Sequence, residues 1–329
     1  MKSFKIKSYL ESNYPEIGKV NKYEKLSHRN INSLNHLIFS QSGKYLLKQI
    51  TDSSSSKKIE KICKILNFCY HKNVKVPKLI QRFDGKFVDR KRKITLSKFY
   101  SGNKFNGTIE ETKDLAKNVA ILHKILRKYR GSFNYRSNEK FYKLLTLKEL
   151  KKIQKKIEIK KRRTKLDNMF MQNYAYIKKC LVEDFEINKV IKRQNFQKQI
   201  IHSDLHPENV IFQKRKLLVI LDFESIKSGR TLEDLAFAAC RFGCYNTTSS
   251  YAIKKKIKLF VDAYLTVNYV DKQELNYIGY FFNHITLQRI CYILRKYYFA
   301  DSDLWINDFA KHLKLLKLIK KILPRKSVD

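Results

Sequence analysis

The stretch Ile200-Ile201-His202-Ser203-Asp204-Leu205-His206-Pro207-Glu208-Asn209, followed by Asp222-Phe223-Glu224, constrains this 329-residue chain more than any other feature. It sets an Asp at 204, an Asn five residues later and a second Asp eighteen residues after the first. Apolar runs flank each of them: Ile200 and Ile201, then Val210, Ile211 and Phe212, then residues 217–221. Short apolar runs bounded by polar residues read as buried strands or strand ends, which leaves the polar side chains at their tips. A carboxylate, an amide and a second carboxylate held in this way suit phosphoryl transfer. One Asp orients the attacking hydroxyl, while the Asn and the second Asp hold magnesium on the nucleotide phosphates.

The first hundred residues read as strands, a helix, then strands. Leu34, Leu37, Ile38 and Phe39 form one apolar strand, Gln41-Ser42-Gly43-Lys44 is a turn signal, and Tyr45–Ile50 is the next strand. The serines at 53–56 offer an N-cap, behind which Ile59, Ile62, Cys63, Leu66 and Cys69 recur at helical spacing. Val76–Ile80 starts another strand, Asp84-Gly85 is a hairpin turn before Phe87-Val88, and Ile94–Phe99 gives a fifth strand. Ser101-Gly102-Asn103 marks the expected hinge. The helix after it carries Leu115, Val119, Leu122, His123 and Leu126, with His123 expected to pack structurally.

The combination HSDLHPENV, LDFE and EDLA resembles the aminoglycoside phosphotransferase and choline kinase family, the small-molecule branch of the protein-kinase-like fold. The resemblance implies an α+β, bilobal fold: a small, mainly antiparallel β lobe over residues 1–100 and a large, mainly helical lobe over 101–329. It also implies an ATP- and Mg2+-dependent phosphotransferase acting on the hydroxyl of a small molecule such as an amino alcohol, sugar or aminoglycoside. Carried over by position, Asp204 is the catalytic base, Asn209 and Asp222 are metal ligands, and Asp234 supports the loop. His202 anchors the loop from below, and His206 lies toward the acceptor. Glu224 is either a third metal ligand or an orienting acid. Lys48, late on a strand, would touch the nucleotide phosphates and be held by Glu60 on the following helix; the plainer reading makes it one surface lysine among 54. The family's phosphate-covering loop falls on residues 26–33, LSHRNINS, which here lacks glycine. Asn and Ser turns still present backbone N–H groups to an anion.

Composition narrows the alternatives. The formal net charge of +40 invites a polyanion partner. Yet only 16 of the 70 basic residues are Arg, the side chain whose fork pairs with phosphate. The abundance of Lys, Ile, Asn, Tyr and Phe fits an A/T-rich coding bias as well. Residues 140–195 include a basic helical segment, with Leu147, Leu150, Ile153 and Ile157 on its apolar face and no aromatic residues among the lysines of 146–165. That argues against single-stranded nucleic acid, and nucleic-acid binding ranks last. The C-terminal HLKLLKLIKKIL is amphipathic, expected to dock on the large lobe, with anionic lipid contact as the alternative. No apolar run spans a membrane, the start lacks a signal-peptide core, and the six scattered cysteines match no zinc pattern. An intracellular, cytoplasmic protein with free thiols is expected. Two other functions stay open: an inactive kinase-like binding or coat protein, and a kinase of an anionic glycan or lipid-linked sugar.

Overall fold

The computed structural model describes residues 5–26, 33–52, 54–133, 143–303 and 305–323. The fold is α+β, with a small antiparallel sheet and a mostly helical remainder. The chain divides into two compact units: Met1–Tyr135, His206–Ile226 and Asp262–Asn268 form the first, and Arg136–Leu205, Lys227–Val261 and Tyr269–Asp329 the second. The first unit thus runs past residue 100, the boundary expected from sequence, and takes in the segment that follows Asp204.

In the first unit, α1 (Ile6–Asn13) precedes β1 (Val20–Leu26), β2 (Ser33–Ser40) and β3 (Gly43–Ile50). Then come α2 (Ser56–His71), β4 (Val88–Asp89), β5 (Ile94–Lys98) and α3 (Ile109–Leu126). The sheet order is β1-β2-β3-β5-β4, all antiparallel. Ile38, Tyr45, Leu47, Ile94 and Leu96 are buried in one cluster with Tyr9 and Leu10 of α1. On β2, Ser33, Asn35, Ile38 and Ser40 are buried while Leu34 is 40% exposed. Successive side chains point to opposite faces, so Ser33 and Asn35 lie on one face and Ile38 and Ser40 on the other, and each face buries residues.

Helix α2 starts where the serine run predicts, with Ser55 Oγ accepting from Lys58 N. The expected strand at Val76–Ile80 is reduced to a bridge between Leu79 and Ser97. Pro77 has no N–H to give, and the amide of Lys78 donates instead to the Tyr100 hydroxyl. The Asp84-Gly85 turn is present, with Gly85 at φ +74. At the expected hinge, Asn103 and Phe212 exchange two backbone hydrogen bonds of 2.8 Å. Gly102 permits this approach, since a Cβ there would lie 2.4 Å from the Phe212 carbonyl oxygen. His123 on α3 is fully buried, its Nδ1 2.7 Å from the Tyr264 hydroxyl.

The second unit is built on α4 (Leu147–Glu158) and α5 (Lys165–Arg193), each opened by a capping box, Thr146/Glu149 and Thr164/Asp167. The basic stretch is therefore two helices. Leu150, Ile153 and Ile157 enter the core, whereas Leu147, at the first turn, is 47% exposed. Strand β6 (Lys198–Ile201) follows; β7 (Val210–Gln213) and β8 (Lys216–Ile220) belong to the first unit, and β9 (Lys227–Arg230) returns to pair with β6. Among the described residues, the helices after β9 are α6 (Thr231–Gly243), α7 (Ser250–Leu265), α8 (Lys272–Leu275), α9 (Ile278–Ala300) and α10 (Asp308–Ile322). The amphipathic tail α10 buries Phe309, Leu313 and Leu316 in the same core as α4, α5 and α9. Among the described residues no helix is long and apolar enough to cross a membrane. All six cysteines are free thiols, five of them buried.

Candidate active site

In the second unit, β6 buries Ile200 and Ile201 and delivers the chain to His202, whose side chain is fully buried. Asp234, in the first turn of α6, is buried too. Its Oδ2 accepts from His202 N at 2.7 Å and its Oδ1 from Ser203 N at 2.8 Å. A buried carboxylate is costly unless its oxygens are hydrogen-bonded, and two backbone amides meet that need here. The helix N-terminus adds favourable field. His202 Nδ1 in turn accepts from Asp204 N at 3.2 Å, so the neutral ring carries its proton on Nε2. Ser203 sits at φ +71, a left-handed conformation that costs on the order of 1–3 kcal/mol outside glycine. The clamp from Asp234 holds that turn, and the turn presents Asp204. Arg289, on α9, brings its Nη2 to 3.7 Å from Asp204 Oδ1.

In the first unit, His206 caps a short 3-10 turn, Pro207–Asn209, by accepting from Glu208 N through Nδ1. Asn209 is buried, and its carbonyl accepts from Leu221 N at 2.8 Å. The β7–β8 hairpin, paired from Val210 with Ile220, thereby sets Asn209 opposite the residue that precedes Asp222. Asp222 is left-handed at φ +59, ψ +69, which Asp tolerates better than most residues. A second 3-10 turn, Phe223–Ser225, buries Phe223 as an anchor and turns Glu224 back. Lys48 Nζ from β3 lies 2.5 Å from Glu224 Oε1 and 3.4 Å from Asp222 Oδ1, and Lys58 Nζ reaches the Glu224 carbonyl.

The electrostatics follow from this crowding. Burial works against the Lys48 ammonium, but Asp222 and Glu224 outweigh it and hold its pKa above the ordinary value. Burial, with repulsion from Asp222, pushes the Glu224 carboxyl up despite Lys48. Two carboxylates that share one ammonium and repel each other still favour further positive charge between them. Carboxylate oxygens are donors of the kind magnesium prefers. Among the described residues no group of three or more His, Cys, Asp or Glu side chains forms a metal cluster.

One expected contact is corrected. Glu60 does not hold Lys48; it takes the guanidinium of Arg90 through Nε at 3.1 Å and Nη2 at 2.5 Å. A planar fork matches a carboxylate better than a single ammonium does, and Lys48 finds Glu224 and Asp222 instead. The glycine-free loop expected to cover phosphates lies, at residues 27–32, outside the described residues. Sequence reasoning missed Arg289, Arg90 and Lys58. Arg289 sits in a stretch that reads as an ordinary core helix, and only tertiary packing brings it to Asp204.

A family model described as the phosphotransferase enzyme family, abbreviated APH, matches residues 22–256. The chain belongs to this family. It is a phosphotransferase with an alcohol group as acceptor. The APH fold recurs in solved structures. A spectinomycin phosphotransferase bound to AMP is similar at 17% identity, with 98% of each chain covered and a TM-score of 0.67. An amicoumacin kinase in complex with AMP-PNP and Ca2+ is similar at 14% identity, covering 99% of this chain and 96% of that one, with a TM-score of 0.61. The choline kinase LicA of Streptococcus pneumoniae is similar at 15% identity, covering 95% and 97%, with a TM-score of 0.57. No curated protein sequence matches the chain.

Proposed function

We propose that this APH-family chain transfers the γ-phosphoryl group of ATP, in the presence of Mg2+, to a hydroxyl of a small molecule. The observation that carries the reading is the meeting of Lys48 with Asp222 and Glu224 at the end of the hairpin that begins at Asn209. That is an arrangement of one cation and hard oxygen donors suited to a metal–triphosphate. Magnesium, when bound by Asn209, Asp222 and Glu224, would neutralise charge on the phosphate oxygens. The similar proteins crystallised with nucleotides support the choice of cofactor.

Asp204 accepts a hydrogen bond from the acceptor hydroxyl and orients its lone pair toward phosphorus. The new O–P bond forms as the bond from the γ-phosphorus to the bridging oxygen breaks, and ADP leaves with that electron pair. The hydroxyl proton passes to Asp204 and then to solvent. His202 and Asp234 keep the base in place without touching substrate. Six free thiols, five of them buried, fit a reducing compartment that holds ATP, such as the cytoplasm.

The test pairs a thermal shift with turnover. ATP with Mg2+ should raise the melting temperature of the wild type, because a ligand that binds only the native state stabilises it. Asp204→Ala should keep that rise and lose phosphate transfer by about 10^2–10^4-fold, the usual contribution of a positioned base. Failure of ATP–Mg2+ to shift the melting curve, together with no turnover on a panel of hydroxyl compounds, would leave an inert kinase-like binding protein.

A further inference from the structure

Asp204 in the second unit has a cationic neighbour on α9. Arg289 of α9 has its Nη2 3.7 Å from Asp204 Oδ1, with 37% of its side chain still exposed. Helix α9 packs against both α6 and α10. From these come Arg241 and His312. The His312 imidazole is driven down to about 3 by burial and then by Arg241, Arg289 and Lys311. Burial is the largest cause, and the positive charges add to it.

Several acidic side chains of the second unit, on α4, α5 and α6, are engaged with other partners. Asp184 of α5 is fully buried and binds His284 Nδ1 at 2.9 Å. Glu149 holds Arg295 at 3.2 Å, Glu233 holds Arg230 at 3.1 Å, and Glu183 is paired with Lys320. A polycationic acceptor arriving at Asp204 would meet like charge from Arg289, whereas an anionic one would meet a guanidinium fork shaped for carboxylate or phosphate.

We propose that the acceptor carries an oxyanion group, carboxylate or phosphate, close to the hydroxyl that is phosphorylated, and that Arg289 pairs with it. Arg289 then selects the acceptor while Asp204 activates it. The proposal deepens the reading of Asp204 as the base, and it turns the acceptor away from aminoglycosides and choline-like amines toward acidic sugars or hydroxy acids.

Two matched probe series test it by calorimetry: D-glucuronate, D-glucose and D-glucosamine for carboxylate, and glycerol 3-phosphate against glycerol for phosphate. Titrations are run with and without AMP-PNP and Mg2+. At least one acid should bind tenfold or more tightly than its neutral counterpart, glucosamine should not exceed glucose, and the series that discriminates names the oxyanion. Arg289→Ala should erase the advantage, and Arg289→Lys should restore part of it, with melting curves verifying that each variant folds. Equal or weaker binding of both acids, no measurable binding of either, or a preference that survives Arg289→Ala overturns the proposal. AMP-PNP binding is the separate readout of the phosphotransferase reading. If the nucleotide fails to bind while an acid still discriminates, that reading falls and the anion site stands.

Discussion

Asp234 and Asp222 show two ways of holding a carboxylate. Asp234 is buried and satisfied by two fixed backbone amides. Asp222 is partly exposed, sits on a left-handed residue at a strand end, and shares the Lys48 ammonium with Glu224. The first arrangement ties the carboxylate to backbone amides of the loop, so it stabilises that loop. Under the proposed function the second would turn its ammonium toward the nucleotide phosphates and take a metal ion between its carboxylates. One region spends its charge on architecture, and the other keeps its charge available for chemistry.

The sharpest way to break this contrast is Asp222→Asn, which keeps a residue that tolerates the left-handed backbone but removes the charge. Phosphate transfer should fall about 10^3-fold, from loss of electrostatic stabilisation of the transferring group, while the melting temperature moves little. A large loss of stability with retained turnover would reverse the roles assigned to the two acids. Next, Asp234→Ala should destabilise by about 3 kcal/mol, because two buried amides lose a charged acceptor. Alanine suits the helix, so denaturant unfolding reads the lost clamp rather than lost helicity. If activity vanished without any change in stability, Asp234 would belong with the chemistry instead.

Smaller effects sharpen the picture. Glu60→Gln should change stability by less than about 1 kcal/mol, since its Arg90 partner is largely exposed and such pairs contribute little. Its ATP–Mg2+ thermal shift should match the wild type, in contrast to Lys48→Ala, which should lose it. Last comes His312. Its folded value, about 3, lies below the ordinary 6.5. As pH falls below 6.5 the unfolded chain takes up a proton that the folded one does not, so stability drops until about pH 3. His312→Leu should flatten that slope in denaturant titrations between pH 7 and 5. An unchanged slope would mean that other groups dominate there.

How far these features were legible in the sequence depended on whether they were local. His202, Asp204, Asn209 and Asp222 stand within one short span, and apolar runs on either side announce the strands that carry them. The cap in the serine run at 53–56 was equally readable, because a cap needs only its own next three residues. Glu60 was assigned the wrong partner because Arg90 comes from a turn thirty residues away, and nothing in α2 reports it. Arg289 left no local trace, since proximity to Asp204 arises from helix packing alone.

The bare backbone at Gly102 has a wider consequence. It latches the strip leaving the small sheet onto Phe212, in the hairpin whose ends bear Asn209 and Asp222. A single methyl group there would wedge the latch open and tilt both ends of the hairpin together. Ligand affinity would then be detuned by a position that touches no ligand.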